Sequence, residues 1–259
     1  MKTIAIINQK GGVGKTTTAI NLGAAWAEEG KKILLLDMDP QASASAALGV
    51  RDLEAGERLF QILKEKTKDL SQVIVETACK GLQLIPTSGH LGQAESQLGG
   101  KAGCQTLLKG RIAKLSEQFD YLVIDCSPSL GLLAINALSA ADYVIVPMEA
   151  HPLSVEGLAE VMGTIADVKE AINNPLQILG ILLTRIKSGT NLTKECVGML
   201  TDSQEYSKHL LATQIRENIK IAEAPSHAQP VTLYATNSSG AEDYRALAKE
   251  LNLRIGRLS

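Results

Sequence analysis

Residues 8–18, Asn-Gln-Lys-Gly-Gly-Val-Gly-Lys-Thr-Thr-Thr, constrain this chain more than any other stretch, because they join a short apolar run to a helical pattern. Gly11, Gly12 and Gly14 carry no Cβ, so successive backbone N–H groups can converge on an anion, and a helix N-terminus just behind them adds its dipole. Lys15 supplies a point charge to β- and γ-phosphates, the Thr16 hydroxyl is placed for Mg²⁺, and Thr17 can contact the α-phosphate or cap the helix. Val13 and the glycines line the same turn. Strand, glycine loop, helix is the context that phosphate binding requires.

Apolar runs at 3–8, 32–37, 82–86, 121–125, 143–146 and 177–184 predict strands, and helical patterns between them, notably 16–29 closed by Gly30 and 154–172, predict βαβ units. The runs are continuous instead of alternating, as for strands covered on both faces. The expected fold is α/β, a P-loop NTPase fold with a mostly parallel twisted sheet and helices on both faces. With 259 residues and 45% hydrophobic content, one domain spanning 1–259 is expected. Residues 50–80 are charged and weakly periodic, and 99–103 read as an exposed loop.

Three carboxylates end strands at the edge where ligands bind in such sheets. Asp37 and Asp39 lie two residues apart, on one side of an extended chain. Asp39, turned by Pro40 toward the phosphates, is the candidate for orienting the attacking water and for the metal, with capping of a helix at 42–48 as its bland alternative. Asp37 is expected to support Mg²⁺ or the loop. Asp125 ends a single apolar strand, as required of a carboxylate holding Mg²⁺ through water. The small, turn-forming residues 126–131 can rearrange between nucleotide states.

A net charge of -2 carries no global basic signature, so any nucleic-acid contact must come from a local patch. Residues 185–259 hold ten basic against eight acidic residues, a mild asymmetry. Cys79, Cys104, Cys126 and Cys196 form no C-x-x-C and read as reduced thiols. The absence of a signal-peptide core or an apolar stretch of spanning length predicts a cytoplasmic chain with no membrane span.

Gln9 stands where a first glycine is usual, and Lys10 adds a second lysine. This deviant Walker A form resembles the ParA/MinD/nitrogenase iron protein class, in which the resemblance assigns Lys10 a reach across a dimer interface to the partner's nucleotide. Lys10–Thr18, Asp37-x-Asp39-Pro40-Gln41, Asp125–Gly131 and Ala222-Glu-Ala-Pro-Ser226 together look like the ParA/Soj branch.

That resemblance implies an ATP-sandwich homodimer with Mg²⁺ that binds DNA non-specifically and releases it when a ParB-type partner stimulates slow hydrolysis, partitioning a chromosome, plasmid or other cargo on the nucleoid. It implies that adenine lies near Arg185 and Asn218, and that Lys187 and Lys220 contact DNA. Gly189 stands where chromosomal relatives carry an arginine, which weakens the DNA expectation. The first strand starts too early for a preceding helix-turn-helix, so sequence-specific operator binding is not expected.

Lys187, Lys194, Lys208 and Lys220 are expected on one face of the dimer. The alternatives are a MinD-like membrane-cycling ATPase, suggested by an apolar stripe at 244–258, ParA-like positioning of a protein assembly, and a redox protein using Cys104 and Cys126.

Overall fold

The computed structural model describes residues 1–50, 53–65, 69–115, 117–187 and 189–258. Seven strands, β1 (Lys2–Ile6), β2 (Ile33–Met38), β3 (Val75–Glu76), β4 (Leu82–Ile85), β5 (Tyr121–Cys126), β6 (Tyr143–Glu149) and β7 (Gln177–Thr184), form one sheet in the order β3-β4-β2-β5-β1-β6-β7. All pairings are parallel except β3 with β4, so the expected parallel sheet carries one antiparallel edge.

Alternation explains why the runs look uniformly apolar. Ile4 and Ile6 enter one core cluster with Ile33 and Leu35, while Ala5 and Ile7 enter the other with Leu34 and Leu36, and every one of these side chains is fully buried.

Each such Ile or Leu side chain contributes about 1.5–3 kcal/mol on leaving water, which is why the strand set is legible without its partners. Helix α1 (Lys15–Glu28) covers one face, and its Trp26 stacks on Tyr121 with ring centroids 4.4 Å apart.

Two features depart from the sequence reading. The pattern at 154–172 is two helices, Pro152–Glu156 and Leu158–Ala171, parted at Gly157. The first begins early because Pro152 occupies its first turn and His151 Nδ1 accepts the Leu153 amide. Within 50–80, where no pattern was readable, lie the helix Leu53–Lys64 and strand β3, while residues 51, 52 and 66–68 fall outside the described set. The predicted loop at 99–103 is exposed turn.

β1 sits between β5 and β6, and because the crossover from β1 to β2 and that from β5 to β6 run in opposite directions, a crevice opens beyond the carboxyl ends of β1 and β5. Among the described residues no helix is long and apolar enough to cross a membrane.

Candidate functional site

The loop after β1 holds its shape through backbone geometry only glycine tolerates well. Gly12 and Gly14 have φ of 77° and 86°. Gly14 is also the N-cap of α1, where no side chain caps the first amides, so those N–H groups face the loop's concavity.

Distant residues brace the turn. Asn8 Nδ2 donates to Pro147 O at 2.8 Å while its Oδ1 accepts the Lys10 amide at 2.9 Å. The Thr184 hydroxyl, at the end of β7, lies 3.0 Å from Val13 O and 3.1 Å from Met148 O.

The two lysines behave differently. Lys15 is buried, and its ammonium donates to Lys10 O at 2.9 Å, folding back over its own loop. Burial lowers its pKa, and Asp125 and Asp39 oppose that shift. Lys10 is exposed and donates to Ser154 Oγ at 3.2 Å, away from the cradle that Lys15 fills.

The carboxylates divide by environment. Asp37 and Asp125 are register partners on adjacent β2 and β5. Asp37 accepts from Asp39 N, Ser45 N and Ser45 Oγ at 3.2, 2.8 and 2.7 Å, which ties it to the loop; burial nevertheless pushes its carboxyl up to about 6.

Asp39 Oδ1 accepts Gln41 N at 2.9 Å and shapes the turn after β2, but the following helix Ser43–Ala47 is met at its N-terminus by Asp37. Asp125 is fully buried, and neither carboxylate oxygen has a hydrogen-bond partner among the described residues. Burial, then Asp37, raises its pKa well above the usual range, with Thr16 and Lys15 opposing.

An orphaned buried carboxylate facing Thr16 and Lys15 is suited to a cation. Among the described residues no group of three or more His, Cys, Asp or Glu could cage a metal alone. That donor set fits Mg²⁺, which takes one or two protein oxygens and fills its octahedron with phosphate and water.

Beside the loop lies a cavity of about 550 Å³, bordered by Gly12, Gly14 and Thr17 on one side and by Asn218, Ile221 and Pro225 on the other. Phosphate amides, an apolar slot and polar edges meet there, the arrangement a nucleoside and its phosphates require.

Asn218 spends both ends of its amide locally, donating to Ser239 Oγ at 2.6 Å and accepting Lys220 N at 2.8 Å, so it shapes the wall. Arg185, on the rim, sits at φ 53°, an uncommon conformation for a side-chain-bearing residue. Arg216 is pinned by Asp243, with contacts down to 2.6 Å, and closes the cavity's far side. Asp243 had no signal in the sequence, being one acid among several on a helix.

The expected DNA-contacting cations are exposed and each meets a carboxylate. Lys187 lies 3.2 Å from Glu217, which also faces Arg185 at 3.9 Å, and Lys220 lies 2.8 Å from Glu223. Gly189 has φ 82°, a conformation that strains an arginine.

Within one subunit Lys208 lies at the amino-terminal end of β7 and Lys187 beyond its carboxyl end, so the length of that strand separates them. The stripe at 244–258 is mostly core, with Tyr244, Leu247, Ala248, Leu251 and Ile255 buried. All four cysteines are free, and burial drives the Cys126 thiol upward, against thiolate chemistry.

Comparison with known proteins matches this arrangement. A family model described as an AAA domain covers residues 1–178. The sporulation initiation inhibitor protein Soj of Bacillus subtilis (strain 168) is 40% identical over 251 residues, covering 96% of this chain and 98% of that one. The chromosome-partitioning ATPase Soj of Treponema pallidum (strain Nichols) is 38% identical over 256 residues, with 99% of both chains covered. A crystal structure described as cobyrinic acid a,c-diamide synthase from Mycobacterium smegmatis, with bound ADP and magnesium, superposes with a TM-score of 0.84 at 34% identity, covering 99% of this chain and 95% of the other.

Proposed function

The chain belongs to the ParA/Soj family of P-loop ATPases, and from that premise we propose that it is a switch that dimerises around ATP and Mg²⁺, binds DNA non-specifically as the dimer, and is reset by partner-stimulated hydrolysis. The observation that carries the reading is the division of labour between the lysines. Lys15 is folded over its own loop, whereas the exposed Lys10 ammonium stands outside that cradle, held among the described residues by Ser154 alone, where a second subunit can reach it.

Bound ATP with Mg²⁺ supplies the transferable phosphoryl group. In this reading the amides of Gly11, Gly12, Val13 and Gly14 and the N-terminus of α1 hold the phosphates, Lys15 neutralises their charge, and Thr17 closes on the α-phosphate. Thr16 and Asp125 hold the metal. Asp39, with one oxygen tied to its own turn, presents the other to the attacking water and its proton. Lys10 of the partner subunit stabilises charge developing between the β- and γ-phosphates, the task an arginine finger performs.

Arg185 and Asn218 border the base. Lys187 and Lys220 then meet DNA phosphates as a pair of patches, one per subunit, so affinity follows dimerisation. A ParB-type partner, an address on the nucleoid and a cargo of chromosome, plasmid or protein assembly complete the proposal.

Substitution Asp39→Ala tests it. Light scattering should give a dimer with ATP and a monomer with ADP, turnover should fall to background, and DNA binding should persist with ATP. Parental turnover in this variant would remove Asp39 from catalysis, and a monomer with trapped nucleotide would remove the sandwich.

A further inference from the structure

A cavity larger than the nucleotide site lies elsewhere in the molecule. A groove of about 780 Å³ lies at the opposite, amino-terminal end of β7, between the helix Leu158–Ala171, the start of β7, the segment around 205–209 and the end of the C-terminal helix Ser239–Leu258. Its floor is aliphatic, with Ile178 half-buried and Leu258 exposed over a sealed layer of Ile165, Leu176 and Leu179. Its rim is cationic, with Lys169, Lys208 and Arg257 exposed around it and Glu205 the one acid lining it among the described residues.

The groove is internally braced, so it is a formed concavity and not a gap between loose side chains. β7 is an edge strand: further along, the backbone amides of Leu211 and Ile215 meet its Ile181 and Leu183 carbonyls, and at the groove a side chain takes over. Arg254 donates to Leu179 O at 3.2 Å and to Leu210 O at 2.8 Å, and the His209 ring bonds the Ile178 backbone. Arg254 is therefore committed to structure, with Glu250 at 3.2 Å as its counter-ion. Among the described residues, Lys169, Lys208 and Arg257 form no ion pair. The His209 ring feels the resulting field: burial lowers its pKa first, and Lys208 and Arg254 lower it further.

We propose that this groove docks an acidic peptide segment of a partner protein, carrying aliphatic side chains that enter the floor while its carboxylates meet Lys169, Lys208 and Arg257. Charge complementarity selects the occupant. A chain of net charge -2 concentrates three uncommitted cations around one apolar slot, which attracts an anion and rewards aliphatic anchors between the charges. Duplex DNA presents no aliphatic groups for the slot, and a bilayer, being flat, cannot reach a recessed floor. The groove and the nucleotide cavity lie at opposite ends of β7, so docking is separable from the ATP cycle.

The test selects a display library of short random peptides on the full chain with ADP and Mg²⁺, then measures labelled winners by fluorescence anisotropy. Enrichment of Asp and Glu around Leu or Ile is expected, with affinity at least about tenfold weaker on the variant Lys169→Glu/Lys208→Glu/Arg257→Glu. Ala166→Trp, an exposed position on the groove wall, should block the same peptides sterically, which covers the case in which the triple variant fails to fold. ATP turnover should be parental in both. The proposal is overturned if no selected peptide depends on these positions, or if phosphatidylglycerol vesicles or duplex DNA, and not acidic peptides, lose binding on the variants.

Discussion

Thr184→Val removes one hydroxyl and nothing else of comparable size, and the structure sets the scale of the loss. That hydroxyl is buried and shared between Val13 O at 3.0 Å and Met148 O at 3.1 Å, tying the phosphate loop to β6 and β7 across 171 residues of sequence.

Deleting it removes the one proton those two carbonyls share, and leaving a buried carbonyl without that donor costs about 1–3 kcal/mol. At roughly 2–4 °C per kcal/mol for a chain of this size, the melting temperature without nucleotide should fall by roughly 2–12 °C. The freed Val13 carbonyl lets the loop sample other conformers, and if the whole of that cost returns on binding, Mg²⁺-ATP affinity drops by roughly 5- to 150-fold.

Differential scanning fluorimetry and calorimetry on parent, Thr184→Val and Thr184→Ser separate the causes. Serine keeps the hydroxyl and should bind ATP nearly as the parent does. If valine matches the parent in both assays, or serine fails as badly as valine, the hydroxyl is not what holds the loop.

Gly14→Ala meets no steric obstacle, since Thr184 Cγ2 at 3.7 Å from the added methyl is ordinary contact, so its cost is backbone strain at φ 86°. About 1–2 kcal/mol is expected, read as a lower melting temperature together with weaker ATP binding. Asp243→Asn should loosen Arg216 at the cavity wall and raise the KM for ATP severalfold while kcat changes little, measured by coupled ATPase assay. Glu217→Gln with Glu223→Gln should release Lys187 and Lys220, strengthening DNA binding with ATP and steepening the log–log salt dependence by about two per subunit in electrophoretic or anisotropy titrations. An unchanged salt slope would remove those lysines from the DNA face.

The strands were legible because Ile4, Ile6, Leu34 and Leu36 bury on alternate faces of a sheet covered twice, leaving no polar position to confuse the run. The phosphate loop was legible because its chemistry is written in consecutive residues. What escaped reading depends on partners far along the chain or on backbone angles.

Ser45 ties Asp37 to the turn, and nothing local to Asp37 announces it. Glu217 and Glu223 neutralise lysines that look free when counted by type. Pro152 starts a helix two residues early and the chain breaks at Gly157, neither of which the apolar spacing alone encodes. The weakly periodic stretch at 50–80 hid a strand of two residues, too short for any period to register.

If subunits pair as proposed, the contact between Lys10 and Ser154 gives an isolated one something to lose first. An ammonium resting on its own molecule must first let go, and a hydrogen bond worth ~1 kcal/mol slows that departure by about fivefold. On the proposed pairing, encounters between copies that carry no triphosphate would offer no compensating anion and come apart, and the tether would act as a filter in time, favouring only those collisions in which the incoming lysine finds a stronger hold than the one it abandons.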